Sequence, residues 1–239
     1  MVKNVFAGKR RRGLGADLGD VYYLAIHPRI THLRKFFAGK KGILLDIGCG
    51  EMPFKRFIME YSEIDTYLGC DIAQNRDGTV NILIDSAVKL PLEDGSIDVV
   101  FINSVLEHTT EPFDVIKEAT RVLKRGGSIY CYVPFIWQEH EQPWDYYRFT
   151  QFGLGYIFKK ADLININIHT AGGFYSVIGM MFVAFMANNK KIGFLGKGIF
   201  LFISSPIGRP LYNIFFESLD RWLGTDNPTI GFGISGCKA

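Results

Sequence analysis

The chain has 239 residues, 48% apolar and 21% charged, with a formal net charge of +3. This composition excludes a disordered polypeptide and allows a sizeable buried core. So small a net charge gives no argument for nucleic acid as a partner.

Residues 1–12 carry Lys3, Lys9, Arg10, Arg11 and Arg12 and no acid. No apolar run of signal-peptide type is present there, so the cytoplasm is the default location. Residues 17–38 have the periodicity of an amphipathic helix, with Pro28 as a break or kink. Residues 43–47 form a short apolar run ended by Gly48-Cys49-Gly50, which predicts a buried parallel strand entering a turn. A helix is expected over 53–61. Strands are expected over 67–72, over 80–84 with Asp85 at its end, and over 97–102. Residues 111–124 read as a helix with Phe113, Ile116, Ala119, Val122 and Leu123 on one face, stopped by Gly126-Gly127. A fifth strand is predicted over 128–133. Thr150 is placed to cap a helix running to about residue 160. Sixth and seventh strands follow over 163–169 and 229–237. Strands alternating with helices imply a Rossmann-like α/β domain, a mainly parallel sheet covered on both faces. Cys49, Cys70, Cys131 and Cys237 form no C-x-x-C pair and read as buried thiols, not disulfide or metal partners.

Residues 172–227 break that rhythm. Between Leu163 and Phe216 the only formal charges are Lys190, Lys191, Lys197 and Arg209. The apolar part of 170–189 is about 14 residues, short for a bilayer span. These 56 residues read as helices that form a lid, lie against a membrane or build a dimer interface. The domain plan is thus a basic helical segment (1–39), a core (40–171), an apolar helical insert (172–227) and a last strand (228–239).

Three acids close successive strands, and ligands of open α/β sheets bind at that edge. Asp46 can receive an ammonium group. Gly48 and Gly50 let the backbone approach a ligand closely. Asp71 can accept from both hydroxyls of a ribose, Asp85 from an adenine amino group, and the Ser86 N–H can donate to a ring nitrogen. A phosphate-cradling G-x-G-x-x-G is absent, because position 53 is Pro. Together these suit S-adenosyl-L-methionine (SAM), which has an ammonium, a ribose diol and an adenine but no phosphate.

Leu44-Leu45-Asp46-Ile47-Gly48-Cys49-Gly50, Leu68-Gly69-Cys70-Asp71-Ile72, Asp85, Leu90-Pro91-Leu92 through Asp98-Val99-Val100, Val105-Leu106-Glu107-His108 and Arg121 to Gly127 resemble class I SAM-dependent methyltransferases of the type 11 domain family, over residues 40–135. The resemblance implies a seven-stranded sheet with a final antiparallel strand and SAM as methyl donor. It also implies that Cys49 and Ile72 lie in the cofactor site and that Asn103 and Ser104 border the sulfonium. Met52-Pro53 departs from the family's small residue after the loop, which leaves the part played by Glu51 open.

The segment 134–150 follows the fifth strand and so reaches the same edge. It resembles the H-x-x-P-x-D-Y-x-R-F/Y-T pattern of a bacterial subset linked to cell-surface polysaccharide and glycan synthesis. In it His140 is a candidate base for a sugar hydroxyl. Arg148 can clamp an acidic sugar or phosphate, Asp145 can orient either, and Tyr147 can stack on a ring. The alternative is that Asp145 and Arg148 pair with each other and fix the loop. His108 is a second candidate at the acceptor or a helix-start packing residue; His27, His32 and His169 read as structural. The expected acceptor is a sugar or a glycan- or lipid-linked intermediate, with peripheral membrane contact and a homodimer both open. A small aromatic or quinone-like acceptor and a non-catalytic SAM-binding scaffold are the alternatives.

Overall fold

The computed structural model describes residues 17–20, 22–189, 191, 193–224 and 228–239; the basic residues 3–12 lie outside them, as does Lys190. One sheet is built from β1 (Lys41–Ile47), β2 (Glu63–Asp71), β3 (Ile82–Leu83), β4 (Ile97–Asn103), β5 (Leu123–Pro134), β6 (Leu163–Ala171) and β7 (Gly231–Lys238). Its order is β3-β2-β1-β4-β5-β7-β6. The pairs among β1 to β5 are parallel, and β7 runs antiparallel to β5 and β6, between them. The helices are α1 (Tyr23–Phe37), α2 (Lys55–Tyr61), α3 (Pro112–Val122), α4 (Gln151–Lys160), α5 (Phe174–Asn188), α6 (Phe194–Ser204) and α7 (Gly208–Leu223).

The central strands are apolar throughout because helices cover both faces, and successive residues go to opposite sides. Val100, Ile102, Ile129, Cys131 and Val133 pack with Val115, Ile116 and Ala119 of α3 and with Leu154 and Phe158 of α4. Val99, Phe101, Tyr130 and Tyr132 pack with Ile30, Leu33 and Phe37 of α1 and with Phe57 and Ile58 of α2. Thr150 caps α4 as its side chain accepts from the Gly153 N–H at 3.1 Å.

Three boundaries differ from the sequence expectation. Helix α1 begins at Tyr23, not at 17, and Pro28 lies inside it without ending it. Helix α3 ends at Val122 and β5 begins at once, so Gly126-Gly127 belong to a strand rather than stopping a helix. Ile97 pairs with Leu123 and Val99 with Ser128, so β5 carries surplus residues there; Gly126 takes them up with φ +73°. A Cβ on Gly127 would lie 2.8 Å from the Lys124 carbonyl oxygen, which is why glycine stands at that fold in the strand. The third strand has only two residues. Its ladder is replaced in part by the Asn81 side chain, which accepts from the Gly69 N–H at 2.9 Å.

Helices α5 and α7 pack on α1. Val177 and Met180 join Tyr23, Leu24, Ala25 and Ile230 in a third apolar cluster. The residue before α5, Gly173, has no side chain to cap the helix. Asp220 of α7 does so instead, accepting from the N–H groups of Gly173, Tyr175 and Ser176 at 3.2, 2.7 and 2.9 Å. A carboxylate there also faces the positive end of the helix dipole. Glu217 accepts from the Tyr23 hydroxyl at 2.7 Å, and the Asn213 amide donates to the carbonyls of Leu18 and Asp20 at 2.7 and 3.1 Å. Asp220→Ala is expected to lower stability by about 1–2 kcal/mol, with Asp220→Asn recovering part of it. Urea unfolding checks this; unchanged midpoints would mean that the three bonds contribute nothing.

Candidate active site

Strands β1, β2 and β4 end at one edge, and the loops leaving it carry the residues expected from sequence. Asp46 lies opposite Gly69 and Phe101 and is buried. Its carboxylate accepts a hydrogen bond from the Tyr67 hydroxyl. Burial pushes the Asp46 carboxyl up to about 7, against the Tyr67 bond, which lowers it. Gly48 and Gly50 have φ of +70° and +49°, and a Cβ on Gly48 would lie 2.4 Å from the Val105 side chain. Gly50 meets nothing within 4 Å. The N–H groups of Gly48 and Cys49 both donate to the Cys70 carbonyl, at 2.8 and 3.1 Å. Gly50 N–H donates to Asp71 Oδ2 at 2.8 Å. The turn therefore offers a ligand open space rather than free donors, the opposite of a phosphate cradle.

Cys49 enters the site through its backbone only. Its thiol is buried beside Gly69 and Met52, and burial pushes it up beyond the ordinary thiol range. Asp71 Oδ1 accepts from the Ala73 N–H at 3.3 Å. Ile72, next to it, is 72% exposed, an apolar side chain left uncovered. Asp85 does not close a strand, since β3 stops at Leu83. The Ile84 N–H bonds the Asp71 carbonyl at 3.0 Å and sets the exposed Asp85 and Ser86 beside the end of β2. Ser86 Oγ accepts from Val88 N–H at 3.4 Å, and Glu51 Oε1 from Arg76 N–H at 3.4 Å. Asn103 closes β4, and its side-chain oxygen accepts from Arg29 at 2.9 Å. Ser104 turns away with φ +56°, its N–H on the Tyr132 carbonyl at 2.9 Å.

After β4, a single 3-10 turn, Leu106–His108, carries Glu107, whose side chain is 0% exposed. Neither carboxylate oxygen has a hydrogen-bond partner among the described residues, and burial pushes the carboxyl up to about 8. The Glu107 carbonyl accepts from the N–H groups of Tyr146 and Tyr147 at 2.8 and 3.3 Å and so holds the loop down. His108 and His140 come together, Nε2 to Nε2, at 3.1 Å. Glu107 Oε1 lies 3.7 Å from the first and 3.9 Å from the second. Burial, with His108 adding to it, holds the His140 imidazole below its ordinary range. Burial would raise Asp145, but the Arg148 guanidinium and the His140 N–H, 2.9 Å away, hold it at about 2.

Asp145 and Arg148 form a bidentate pair at 2.6 and 2.7 Å. The guanidinium also donates to the carbonyls of Tyr147 and Gln138 at 2.8 and 3.2 Å. Both terminal nitrogens of Arg148 are thus engaged inside the chain, by Asp145 and by carbonyls of its own loop. The Tyr147 ring lies 5.6 Å from Phe149, and its hydroxyl donates to the Thr110 carbonyl at 3.1 Å.

Sequence reasoning assigned no part to Glu107, Tyr67 or Arg29. The only signal for Glu107 was its place beside His108. Arg29 had none: it is buried, with its guanidinium 3.7 Å over the Tyr132 ring. His32 and His169 stack at 3.8 Å on the same side of the sheet.

Residues 45–131 match the methyltransferase domain family. An uncharacterised protein of Methanocaldococcus jannaschii is 32% identical over 113 residues, 47% of this chain and 52% of that one. A demethylmenaquinone methyltransferase of Bacillus cereus is 30% identical over 100 residues, 36% of this chain and 42% of its own length. The chain thus spans about half or less of the length of these curated relatives. A SAM-dependent methyltransferase from Archaeoglobus fulgidus superposes with a TM-score of 0.55 at 19% identity, over 87% of this chain and 92% of that chain. By sheet order, antiparallel last strand and the match over residues 45–131, the chain has the Rossmann-like fold of class I SAM-dependent methyltransferases.

Proposed function

We propose that the chain is a SAM-dependent methyltransferase that methylates a hydroxyl of a sugar or of a glycan- or lipid-linked intermediate at a membrane surface. One observation carries this: the open turn 48–50, tied to Asp71, leaves the same sheet edge as the paired imidazoles of His108 and His140. SAM, when bound, supplies a methyl group on a positively charged sulfur.

The residues present fit that group. Gly50 opens on free space, and the uncovered Ile72 side chain suits the face of an adenine. Tyr67 engages one oxygen of Asp46 and leaves the other for an ammonium group. Each Asp71 oxygen has two acceptor positions and a single backbone N–H on it, so both can also accept from a ribose diol. Asp85 and the Ser86 N–H read the adenine edge. Asn103 and Ser104, at the end of β4, border the sulfur, and the Cys49 backbone lines the turn. Because methyl transfer is a direct displacement, alignment is the main task, on the order of 7–11 kcal/mol in favourable cases. On the far side His140, backed by His108, takes the hydroxyl proton. Tyr147 offers a ring face, and the Asp145–Arg148 pair keeps the loop in place. A quinone-like acceptor is the second reading, supported by the demethylmenaquinone methyltransferase among the relatives.

The membrane part rests on the insert. Phe194, Leu195 and Trp222 are 96%, 77% and 79% exposed, and Lys191, Lys197 and Arg209 are its charges up to α7's Glu217 among the described residues. No single described helix is long and apolar enough to cross a membrane; α6 and α7 meet at 87°. Such a bent apolar pair with basic residues suits burial of one face in an anionic interface.

Asp71→Ala is expected to weaken S-adenosylhomocysteine binding at least about tenfold, since it loses a paired acceptor. His140→Ala should leave that affinity unchanged and lower turnover by about a hundredfold or more. Calorimetry and product formation with cell-envelope extracts separate the two; lost affinity in the His140 variant would overturn this division of roles. Asp46 carries a proton below about pH 7 and is ionised above it. Affinity for S-adenosylhomocysteine should therefore rise about tenfold from pH 6 to pH 8, while 5′-methylthioadenosine, which lacks the ammonium, shows no such rise. Parallel profiles for the two ligands would remove Asp46 as the ammonium partner. In flotation with anionic vesicles the native chain should rise with the lipid, and a Phe194→Ser, Leu195→Ser, Trp222→Ser variant should not. Equal partitioning would end the membrane reading.

A further inference from the structure

We infer that Glu107, His108 and His140 form a binding site for one divalent first-row metal ion of the zinc type. The inference goes beyond methyl transfer: an ion on His140 Nε2 takes the lone pair that otherwise accepts the hydroxyl proton, so the metal-bound and proton-accepting states are alternatives, and the ion can be bound whether or not any acceptor is turned over.

The tautomers carry the argument. His108 Nδ1 lies 2.9 Å from the Trp144 carbonyl oxygen, and His140 Nδ1 lies 3.3 Å from both the Gln138 carbonyl and an Asp145 carboxylate oxygen. All three partners only accept, so each Nδ1 bears the hydrogen. In the neutral imidazoles both Nε2 atoms then present lone pairs, and these face each other at 3.1 Å. Two lone pairs at that distance require a positive charge between them. Beside them lies a carboxylate, fully buried, with neither oxygen bonded. The three donor atoms fall within 4.8 Å of one another.

The spacing suits a metal. Two imidazole nitrogens on one zinc ion are about 2.9 Å apart at a right angle and about 3.4 Å at the tetrahedral angle; the pair here stands between, at 3.1 Å. The carboxylate oxygen, at 3.7 and 3.9 Å, needs to close by only a few tenths of an ångström. Both histidines also have the outer support that ligating imidazoles require, an acceptor on the far nitrogen. Asp145, held by Arg148, acts here as a positioning residue for His140. Two nitrogens and one carboxylate favour zinc or a like ion over magnesium, and three protein ligands leave a fourth position for water.

The alternative source of positive charge is a proton shared by the two imidazoles, and zinc titration at pH 8 separates them. The untagged full-length chain should bind zinc one-to-one, with a raised melting temperature, and should bind magnesium far more weakly. His108→Asn and His140→Asn should abolish zinc binding, and Glu107→Gln should weaken it at least about tenfold. The native chain gives a second readout that needs no variant. Zinc should protect His108 and His140 from diethylpyrocarbonate, mapped by peptide mass spectrometry, and leave His27 modified as before. Failure of the native chain to bind zinc, binding retained in both histidine variants, or no protection of the two imidazoles would each overturn the inference.

Discussion

The turn after β4 and the loop after β5 are organised around one buried carboxylate. Glu107 has no hydrogen-bond donor on either oxygen among the described residues and no contact with solvent, a placement that costs several kcal/mol if the group is charged and alone. The surrounding loop is arranged to hold it there. The carbonyl of the same residue takes two N–H groups from the loop, and two imidazoles close over the side chain. The Asp145–Arg148 pair locks the segment that closes it.

The fold was legible because a parallel sheet covered on both faces writes its strands as unbroken apolar runs, as in Ile97–Asn103. The glycine turn and the acids after it were legible for a related reason: polar residues that end such runs are confined to the sheet edge. What escaped was set by tertiary contact. Gly126-Gly127 have the composition of a helix stop, yet they sit in a strand that folds back on its own carbonyl. Glu107 is one acid beside one histidine, and it is buried by a loop more than thirty residues later. Arg29 lies on a helix whose pattern gives no sign that its guanidinium reaches Tyr132 and Asn103. The Asp145–Arg148 pair was one of two readings open in the sequence, and only the folded loop brings the two side chains together.

Helix α1 connects two regions that otherwise share little. Its first turn packs on α5, with Tyr23 bonded to Glu217 of α7, and its middle delivers Arg29 to the end of β4. The apolar insert is thus braced against the same helix that supports the end of β4. Asp220, capping α5 from α7, ties those two helices of the insert together.

The position of β7 also has a consequence for biosynthesis. It fills the gap between β5 and β6, yet in the chain it follows both of them and the whole insert. While the polypeptide emerges from the ribosome, the long inner strand β5 has an unpaired flank until the eight residues of β7 arrive. Closure of the sheet therefore waits until the whole insert has been made, and a nascent chain stalled within the insert exposes a sticky strand edge and an apolar helix cluster together.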